Sequence, residues 1–343
     1  MVDVDGVLLA APRGFCAGVE MAIKALGWMV RVFEPPVYCY HEIVHNGVVV
    51  DRFRRLGVVF VDDVSEVPPG APLMLSAHGS APEVVEAARA GGGFVVDAVC
   101  PLVTKVHHEV KVRAGKGFSI LYVGHEGHDE AVGTMAVAPE SIHLVETVEG
   151  VAALPAIGGR VALLAQTTLS HQDWADVLDA ARERFPQLWM PGKSDLCFAT
   201  TNRQSALTEI AGKADAIVVI GSANSSNTVA LEKVARGVGC ARVYRVNRAD
   251  ELPDDLHGVV GVTAGASAPE ELVEAVIDRL APADGVEEVR ITDEDEYFPP
   301  PRNLRELLEA VDVVATLGLG GSVPDRPVLN DRRIAASDVL AAL

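Results

Sequence analysis

Short runs of apolar, β-branched residues alternate with longer amphipathic stretches along nearly the whole chain. The runs include "GVLLAA", "GFSILYVG" and "DAIVVIG", and stretches such as "VEMAIKALGWMVRVF" and "NTVALEKVARG" carry apolar residues at helical spacing. Strands that alternate with helices are typical of βα units on parallel sheets. The pattern therefore predicts an α/β fold.

Two local designs recur along this pattern. "FCAGVEMAI", "VCPLVTKVHHEV" and "LCFATTNRQSAL" each place one cysteine directly before a helical stretch. "SAHGSAPEVVEAA" and "TAGASAPEELVEA" share a strand end, a small polar loop, Ala-Pro-Glu and a helix. The three cysteines of the first design stand at positions 16, 100 and 197. Recurrence at such an interval indicates structural units of roughly 90 residues.

These repeats predict three similar small α/β lobes in a pseudo-threefold arrangement, each offering one cysteine at a helix start. The first lobe is expected over residues 16–99, the second over 100–196, and the third over 1–15 together with 197–311. The pattern weakens after "EDEYFPPPRNLRELLEAV", so residues 312–343 are interpreted as a C-terminal tail to which the sequence assigns no role.

The composition is that of a compact globular protein, with 343 residues, 49% hydrophobic and 22% charged. The chain contains no apolar run of about 18 residues, the length that a membrane span needs. Its N-terminus, "MVDVDGVLLAAPRGF", lacks the basic and long apolar regions of a signal peptide. We therefore expect a cytoplasmic protein that does not enter a membrane.

The formal net charge of −19 argues against a sequence-independent grip on DNA or RNA, which requires clustered Lys and Arg. Aromatic residues make up only 5% of the chain and offer little surface for base stacking. No nucleic-acid partner is expected. An anionic substrate would have to be held by local groups against the field of the whole protein.

The five cysteines are not spaced as a disulfide framework, and no CxxC pair is present. Cys39 and Cys240 fit the core of a fold, whereas Cys16, Cys100 and Cys197 stand at helix starts, where backbone N–H groups stabilise a thiolate. Three converging thiolates suit an iron–sulfur cluster better than one zinc ion. A [4Fe–4S] cluster with three protein ligands would keep one iron open.

Several histidines lie in polar loops that follow predicted strands, the place where α/β proteins bind ligands. His45, His78 and His128 belong to this group, in "HEIVHN", "SAHGS" and "GHEGHDE". A zinc site built on His125 and His128 is an alternative, although no third ligand is obvious.

The loops "AQTTLS", "SANSSNT" and "AGASAPEE" gather hydroxyl, amide and backbone N–H groups at predicted helix starts. Helix capping alone would explain many of these residues. One helix, however, cannot use as many capping residues as this loop provides in Ser225, Ser226 and Asn227. Such a loop can hold a phosphate or diphosphate without many cations.

Taken together, nine motifs resemble the family of 4-hydroxy-3-methylbut-2-enyl diphosphate reductases, which act last in the non-mevalonate isoprenoid pathway. The resemblance extends from about residue 6 to residue 305. The motifs, in chain order, are "PRGFCAGVEMAI", "HEIVHN", "SAHG", "DAVCPLVTKVH", "GHEGHDEAVGTM", "QTTLS", "CFATTNRQ", "GSANSSNT" and "GVTAGASAPE".

The resemblance implies reductive removal of the allylic hydroxyl group of 4-hydroxy-3-methylbut-2-enyl diphosphate. Two electrons and two protons would give isopentenyl and dimethylallyl diphosphates plus water. The resemblance also implies that the lobes surround a central [4Fe–4S] cluster, with one iron not ligated by protein, on Cys16, Cys100 and Cys197. A ferredoxin or flavodoxin is implied as the electron donor.

By the same resemblance, Glu130, Thr167 and His128 form the catalytic set, with Thr167 and Glu130 near the substrate hydroxyl group. Thr167 also belongs to the implied substrate-binding set. The other residues of that set are His45, His78, His128, Ser225, Ser226, Asn227 and Ser267. This chain departs from the family at Asp129, which stands where the family usually has proline.

Two other functions use some of the same residues. A non-catalytic iron–sulfur electron carrier or sensor would explain the three cysteines but neither the anion-binding loops nor Glu130. A zinc-dependent hydrolase would centre on His125 and His128.

Overall fold

The computed structural model describes residues 3–318 and 331–343. Strands and helices alternate along the described chain, as the sequence pattern predicts. The strands are β1 (Asp3–Ala11), β2 (Val37–Tyr40), β3 (Val58–Val61), β4 (Leu73–Leu75), β5 (Val95–Asp97), β6 (Phe118–Val123), β7 (Ile142–Val145), β8 (Arg160–Ala165), β9 (Ala216–Ile220), β10 (Val243–Val246), β11 (His257–Ala264) and β12 (Val286–Arg290).

The helices cover the faces of the sheets and carry most of the connections between strands. They are α1 (Ala17–Val32), α2 (Gly47–Arg55), α3 (Pro82–Ala90), α4 (Pro101–Gly115), α5 (Asp129–Met135), α6 (Val148–Ala153), α7 (His171–Arg184), α8 (Phe198–Ala211), α9 (Ser226–Gly237), α10 (Glu270–Leu280), α11 (Arg302–Gly318) and α12 (Ala336–Ala342). None of the helices in the described part of the chain is long and apolar enough to span a membrane.

The strands form three sheets with parallel pairing throughout, which confirms the α/β class and the three lobes. The first-lobe sheet has the order β3-β2-β4-β5, and the second-lobe sheet has the order β7-β6-β8. The third-lobe sheet has the order β10-β9-β11-β1-β12, so the N-terminal strand lies between strands from the end of the chain. Each strand falls inside the range predicted for its lobe, while the exact lobe bounds stay a prediction.

The third-lobe sheet shows why its strands read as continuous apolar runs. Strand β9 is buried along its whole length. Ile217 and Val219 pack with α8 and α9 on one face, and Val218 and Ile220 pack with α10 on the other. A parallel sheet covered by helices on both faces needs apolar residues at every position.

The C-terminal part of the chain differs from the expectation. Helix α11 continues through the boundary predicted at residue 311, and its Leu304 and Leu308 are buried in the first-lobe core instead of the third lobe. Helix α12 packs on α1, and its Leu340 joins the same core. Helices α11 and α12 therefore pack on the first lobe, because their buried leucines join its apolar core. Residues 319–330 of the predicted tail lie outside the described residues.

Candidate active site

Loops from all three lobes meet at one cavity. The residues that the sequence analysis assigned to a site all line this cavity, although their individual roles stay a prediction. They are Cys16, Cys100, Cys197, His45, His78, His128, Glu130, Thr167, Ser225, Ser226, Asn227 and Ser267.

Each of the three cavity cysteines is the N-cap residue of a helix. Cys16 precedes α1, Cys100 precedes α4, and Cys197 precedes α8. The Cys197 sulfur accepts a hydrogen bond from the Thr200 backbone N–H at 3.2 Å. The predicted placement at helix starts is therefore observed.

Burial dominates the acidity of two of these thiols. Burial, with the neighbouring Cys16 as the next cause, raises the pKa of Cys100 to about 12 and that of Cys197 to about 11. A helix N-terminus favours a thiolate, as predicted from the sequence, but for Cys100 and Cys197 in the protein alone burial outweighs that effect. Buried thiols of this kind release their protons when a metal centre takes up the negative charge.

The three sulfur atoms are not gathered as closely as the ligands of a single metal ion. Among the described residues, these atoms do not all lie within 4.8 Å of one another. Thiolates on one tetrahedral zinc ion, with Zn–S bonds of about 2.3 Å, would stand only about 3.8 Å apart. Gly18 leaves room for them, because a Cβ atom there would lie 2.8 Å from the Cys100 sulfur and 4.0 Å from the Cys16 sulfur.

The two remaining cysteines lie in apolar surroundings, as predicted. Cys39 is fully buried in the first-lobe core, and Cys240 packs against the α8–α9 side of the third lobe. Neither lines the cavity.

A buried carboxylate faces the same cavity. Glu130, in the first turn of α5, is only 3% exposed. Its carboxylate accepts hydrogen bonds from the Thr167 backbone N–H at 2.7 Å and from the Thr167 hydroxyl group at 3.0 Å. Burial raises the pKa of Glu130 to about 7, against the opposing effect of the two hydrogen bonds. The sequence-predicted pair of Glu130 and Thr167 is thus in direct contact.

Three imidazole rings form a compact group beside this pair. The rings of His45 and His78 stack with their centroids 3.8 Å apart, and His128 meets both edge-on. Both ring nitrogens of His45, Nδ1 of His78 and Nε2 of His128 are buried with no hydrogen-bond partner among the described residues. Burial and the neighbouring rings lower the pKa of His78 well below its usual value and that of His128 to about 4.

Sequence reasoning missed the contacts of Asp129. One carboxylate oxygen, Oδ1, lies 2.8 Å from His41 Nδ1, while Oδ2 lies 3.7 Å from His78 Nδ1 and 3.9 Å from His45 Nε2. His41 adopts a φ of 56°, in the left-handed region that few non-glycine residues occupy. Two features of the sequence could have indicated this contact. His41 belongs to the same motif as His45, and residue 129 is an aspartate where the family usually has proline.

The serine and asparagine loops join the lobes at the cavity. Asn227 accepts a hydrogen bond from the Ala266 backbone N–H at 2.9 Å and donates one to the Thr200 hydroxyl group at 3.3 Å. Ser267 donates to the His45 carbonyl at 2.9 Å. Ser225 is the N-cap residue of α9, so helix capping accounts for this residue.

The alternative zinc site does not assemble in the described part of the chain. His125 and His128 gather no third histidine, cysteine or carboxylate at ligand distance there.

Parallel sheets in three lobes and a cavity lined by three helix-capping thiols define a three-lobed α/β protein with a thiol-lined cavity between its lobes. Comparison with known sequences gives the particular family. The profile of the LytB protein family matches residues 7–281, and the chain belongs to this family. The match confirms the resemblance found in the sequence, and the family is one of iron–sulfur reductases.

Curated relatives match over most of their length. The 4-hydroxy-3-methylbut-2-enyl diphosphate reductase of Rhodopirellula baltica is 48% identical, with coverage of 87% of this chain and 95% of that protein. The enzyme of that name from Streptomyces avermitilis is 46% identical, with coverage of 89% and 92%. A solved structure of the E-1-hydroxy-2-methyl-but-2-enyl-4-diphosphate reductase of Plasmodium falciparum superimposes with a TM-score of 0.86 at 31% identity, covering 90% of this chain and 99% of that one.

Proposed function

We propose that this chain is a 4-hydroxy-3-methylbut-2-enyl diphosphate reductase, an oxidoreductase of the non-mevalonate isoprenoid pathway. The observation that carries the proposal is a single cavity that combines three helix-capping thiols with a buried carboxylate and a polar loop. Relatives that bear this enzyme name cover most of the chain. An electron carrier would need the thiols alone and would leave Glu130 and the polar lining without a purpose.

The three cavity cysteines, Cys16, Cys100 and Cys197, would hold a [4Fe–4S] cluster with one iron free of protein ligands. Such a cluster, when bound, supplies electrons and a Lewis-acid iron next to the substrate hydroxyl group. A ferredoxin or flavodoxin would deliver the electrons.

The diphosphate would be held by groups that the fold has already ordered. Four ring nitrogens of the three histidines are buried without hydrogen-bond partners in the described part of the chain. Hydrogen bonds within the third lobe, and one from Ser267 to the first lobe, fix the polar loops. Preformed donors allow an acidic protein to bind an anion, because the interaction is local. The proposed ligands are His45, His78, His128, Ser225, Ser226, Asn227 and Ser267.

The Glu130–Thr167 pair would supply the proton that the departing oxygen needs. Removal of an allylic hydroxyl group is slow unless the oxygen is protonated as the C–O bond breaks, and a positioned acid accelerates such steps by about 10²- to 10⁴-fold. The Thr167 hydroxyl group, already bonded to Glu130, would give its proton to that oxygen and take one from the carboxyl group. Two electrons and a second proton, delivered to the allylic carbon skeleton, complete a balanced reaction that releases water.

The proposal is tested with anaerobic, cluster-loaded protein reduced by a viologen dye. Addition of the allylic diphosphate should reoxidise the dye, and the organic products should be isopentenyl and dimethylallyl diphosphates. A protein that carries the cluster but shows no substrate-dependent reoxidation would be a carrier or sensor instead. The Glu126→Gln variant, altered at an exposed carboxylate near the site, serves as an active control.

A further inference from the structure

The carboxylate of Asp129 faces two imidazole rings across a gap. Its Oδ2 atom lies 3.7 Å from His78 Nδ1 and 3.9 Å from His45 Nε2. These separations are too long for hydrogen bonds. The three groups together bring ligand atoms within 4.8 Å of one another, and each of the three residues is partly buried.

The close stacking of the His45 and His78 rings disfavours protonation of both rings at once. Two imidazolium ions stacked 3.8 Å apart would repel each other strongly inside a protein. Burial also favours the neutral form of His78. Neutral imidazoles present lone pairs, and the nitrogen atoms of His45 and His78 that face Asp129 have no hydrogen-bond partner among the described residues.

His41 fixes the direction of the carboxylate. It approaches Asp129 Oδ1 to 2.8 Å and leaves Oδ2 turned toward His45 and His78. Metal sites commonly contain such an outer partner, which orients a ligating group and tunes its charge. Two imidazole nitrogen atoms and one carboxylate oxygen form a ligand set that a divalent transition-metal ion accepts.

We infer that His45, His78 and Asp129 form a binding site for a divalent transition-metal ion of the zinc class in the substrate-free enzyme. Zinc takes imidazole nitrogen and carboxylate oxygen ligands at about 2.0–2.2 Å and accepts water at an open fourth position. The site shares no residue with the three cavity cysteines. It goes beyond the proposed function, in which His45 and His78 serve only the diphosphate.

The test uses the cluster-loaded protein without substrate, under anaerobic conditions. Equilibrium dialysis against buffered zinc should show one zinc ion per chain in addition to the cluster iron. X-ray absorption at the zinc edge should show nitrogen and oxygen neighbours at about 2.0 Å and no sulfur at about 2.3 Å. Sulfur in the zinc shell, or no zinc uptake, would overturn the inference without touching the reductase assignment.

A matched pair of variants locates the ion. Asp129→Asn should weaken zinc binding at least tenfold, because even outer-shell partners are worth about 10- to 100-fold in metal affinity. Glu126→Gln removes an exposed carboxylate three residues away and should leave zinc binding unchanged. Equal effects of both substitutions would indicate general attraction to an acidic surface and would reject the site. If Asp129→Asn protein fails to fold, as judged by its iron content, the absorption spectrum of the unaltered protein decides.

Discussion

At the scale of single residues, Glu130 combines deep burial with two hydrogen bonds from Thr167. The change Glu130→Gln keeps the shape of the side chain and removes its acidic proton. We expect cluster content and substrate affinity to persist while turnover falls by at least about 10²-fold, the lower end of general-acid contributions. Turnover is measured with a saturating artificial reductant. Turnover equal to that of the parent would mean that the proton reaches the substrate by another route.

Asn227 occupies a buried position in the polar loop, whereas Asn224 in the same loop is exposed. Replacement of Asn227 by Ala should weaken substrate binding by roughly 10- to 150-fold, the equivalent of one charge-assisted hydrogen bond at about 1.5–3 kcal/mol. Part of the loss should come from the loop itself, because Asn227 also binds Ala266 and Thr200. Substrate titration of the cluster-loaded variant gives the affinity.

The control for this loop is Asn224→Ala, which removes only an exposed contact with Glu42. Its affinity for substrate should match that of the parent protein. Similar losses at Asn224 and Asn227 would argue that the loop as a whole, and not the Asn227 amide, is responsible.

At the scale of elements, the first turn of α1 must pass close to the start of α4. A methyl group on Gly18 would meet the Cys100 sulfur at 2.8 Å, and overpacking of this kind costs about 1–3 kcal/mol. We therefore expect Gly18→Ala protein to bind less iron per chain. Gly115, at the end of α4, has open space where a Cβ atom would stand. Gly115→Ala is therefore the control. Normal iron content in both variants would show that α1 can shift without disturbing the cysteines.

Helices α11 and α12 offer a matched pair of leucines. Leu340 of α12 is 2% exposed in the first-lobe core, whereas Leu317 of α11 is 60% exposed. Leu340→Ala should lower the free energy of unfolding by about 2–4 kcal/mol, and Leu317→Ala should change it little. Denaturant titration of both variants measures the difference. If Leu340→Ala is as stable as the parent, the packing of α12 on the first-lobe core does not stabilise the protein.

The same two helices mark the limit of what local sequence pattern predicts. Strand and helix order, and the cysteines at helix starts, depend on signals within a few residues of one another. The docking of α12 on α1 depends instead on contacts between residues some three hundred positions apart, such as the buried pair of Lys24 and Asp331 at 3.5 Å. The contact of Asp129 with His41 could not be predicted from local pattern either, because the two residues lie on different lobes.

At the scale of the whole molecule, the cavity cysteines precede helices that pack in three different lobes, α1, α4 and α8. Alanine at Cys100 should remove most of the iron from the protein, because the proposed cluster would lose one of three ligands. The buried Cys39 contacts only the first-lobe core, so Cys39→Ala should retain near-normal iron. Iron and sulfide analysis of anaerobically purified protein measures both. Equal iron loss in the two variants would reject the assignment of ligands.

The position of β1 determines when during synthesis the cavity can be completed. β1 is the first strand made, yet it pairs on one side with β11 and on the other with β12. The loop that follows it is held by the same region, since the Cys16 backbone N–H donates to the Ala266 carbonyl at 3.2 Å. On the ribosome, the second lobe can fold from its own strands, whereas one edge of β1 stays unpaired until β11 has emerged and the other until β12 has emerged. Cys16 can reach its place only after Ala266 has emerged, so the cavity is completed late in translation.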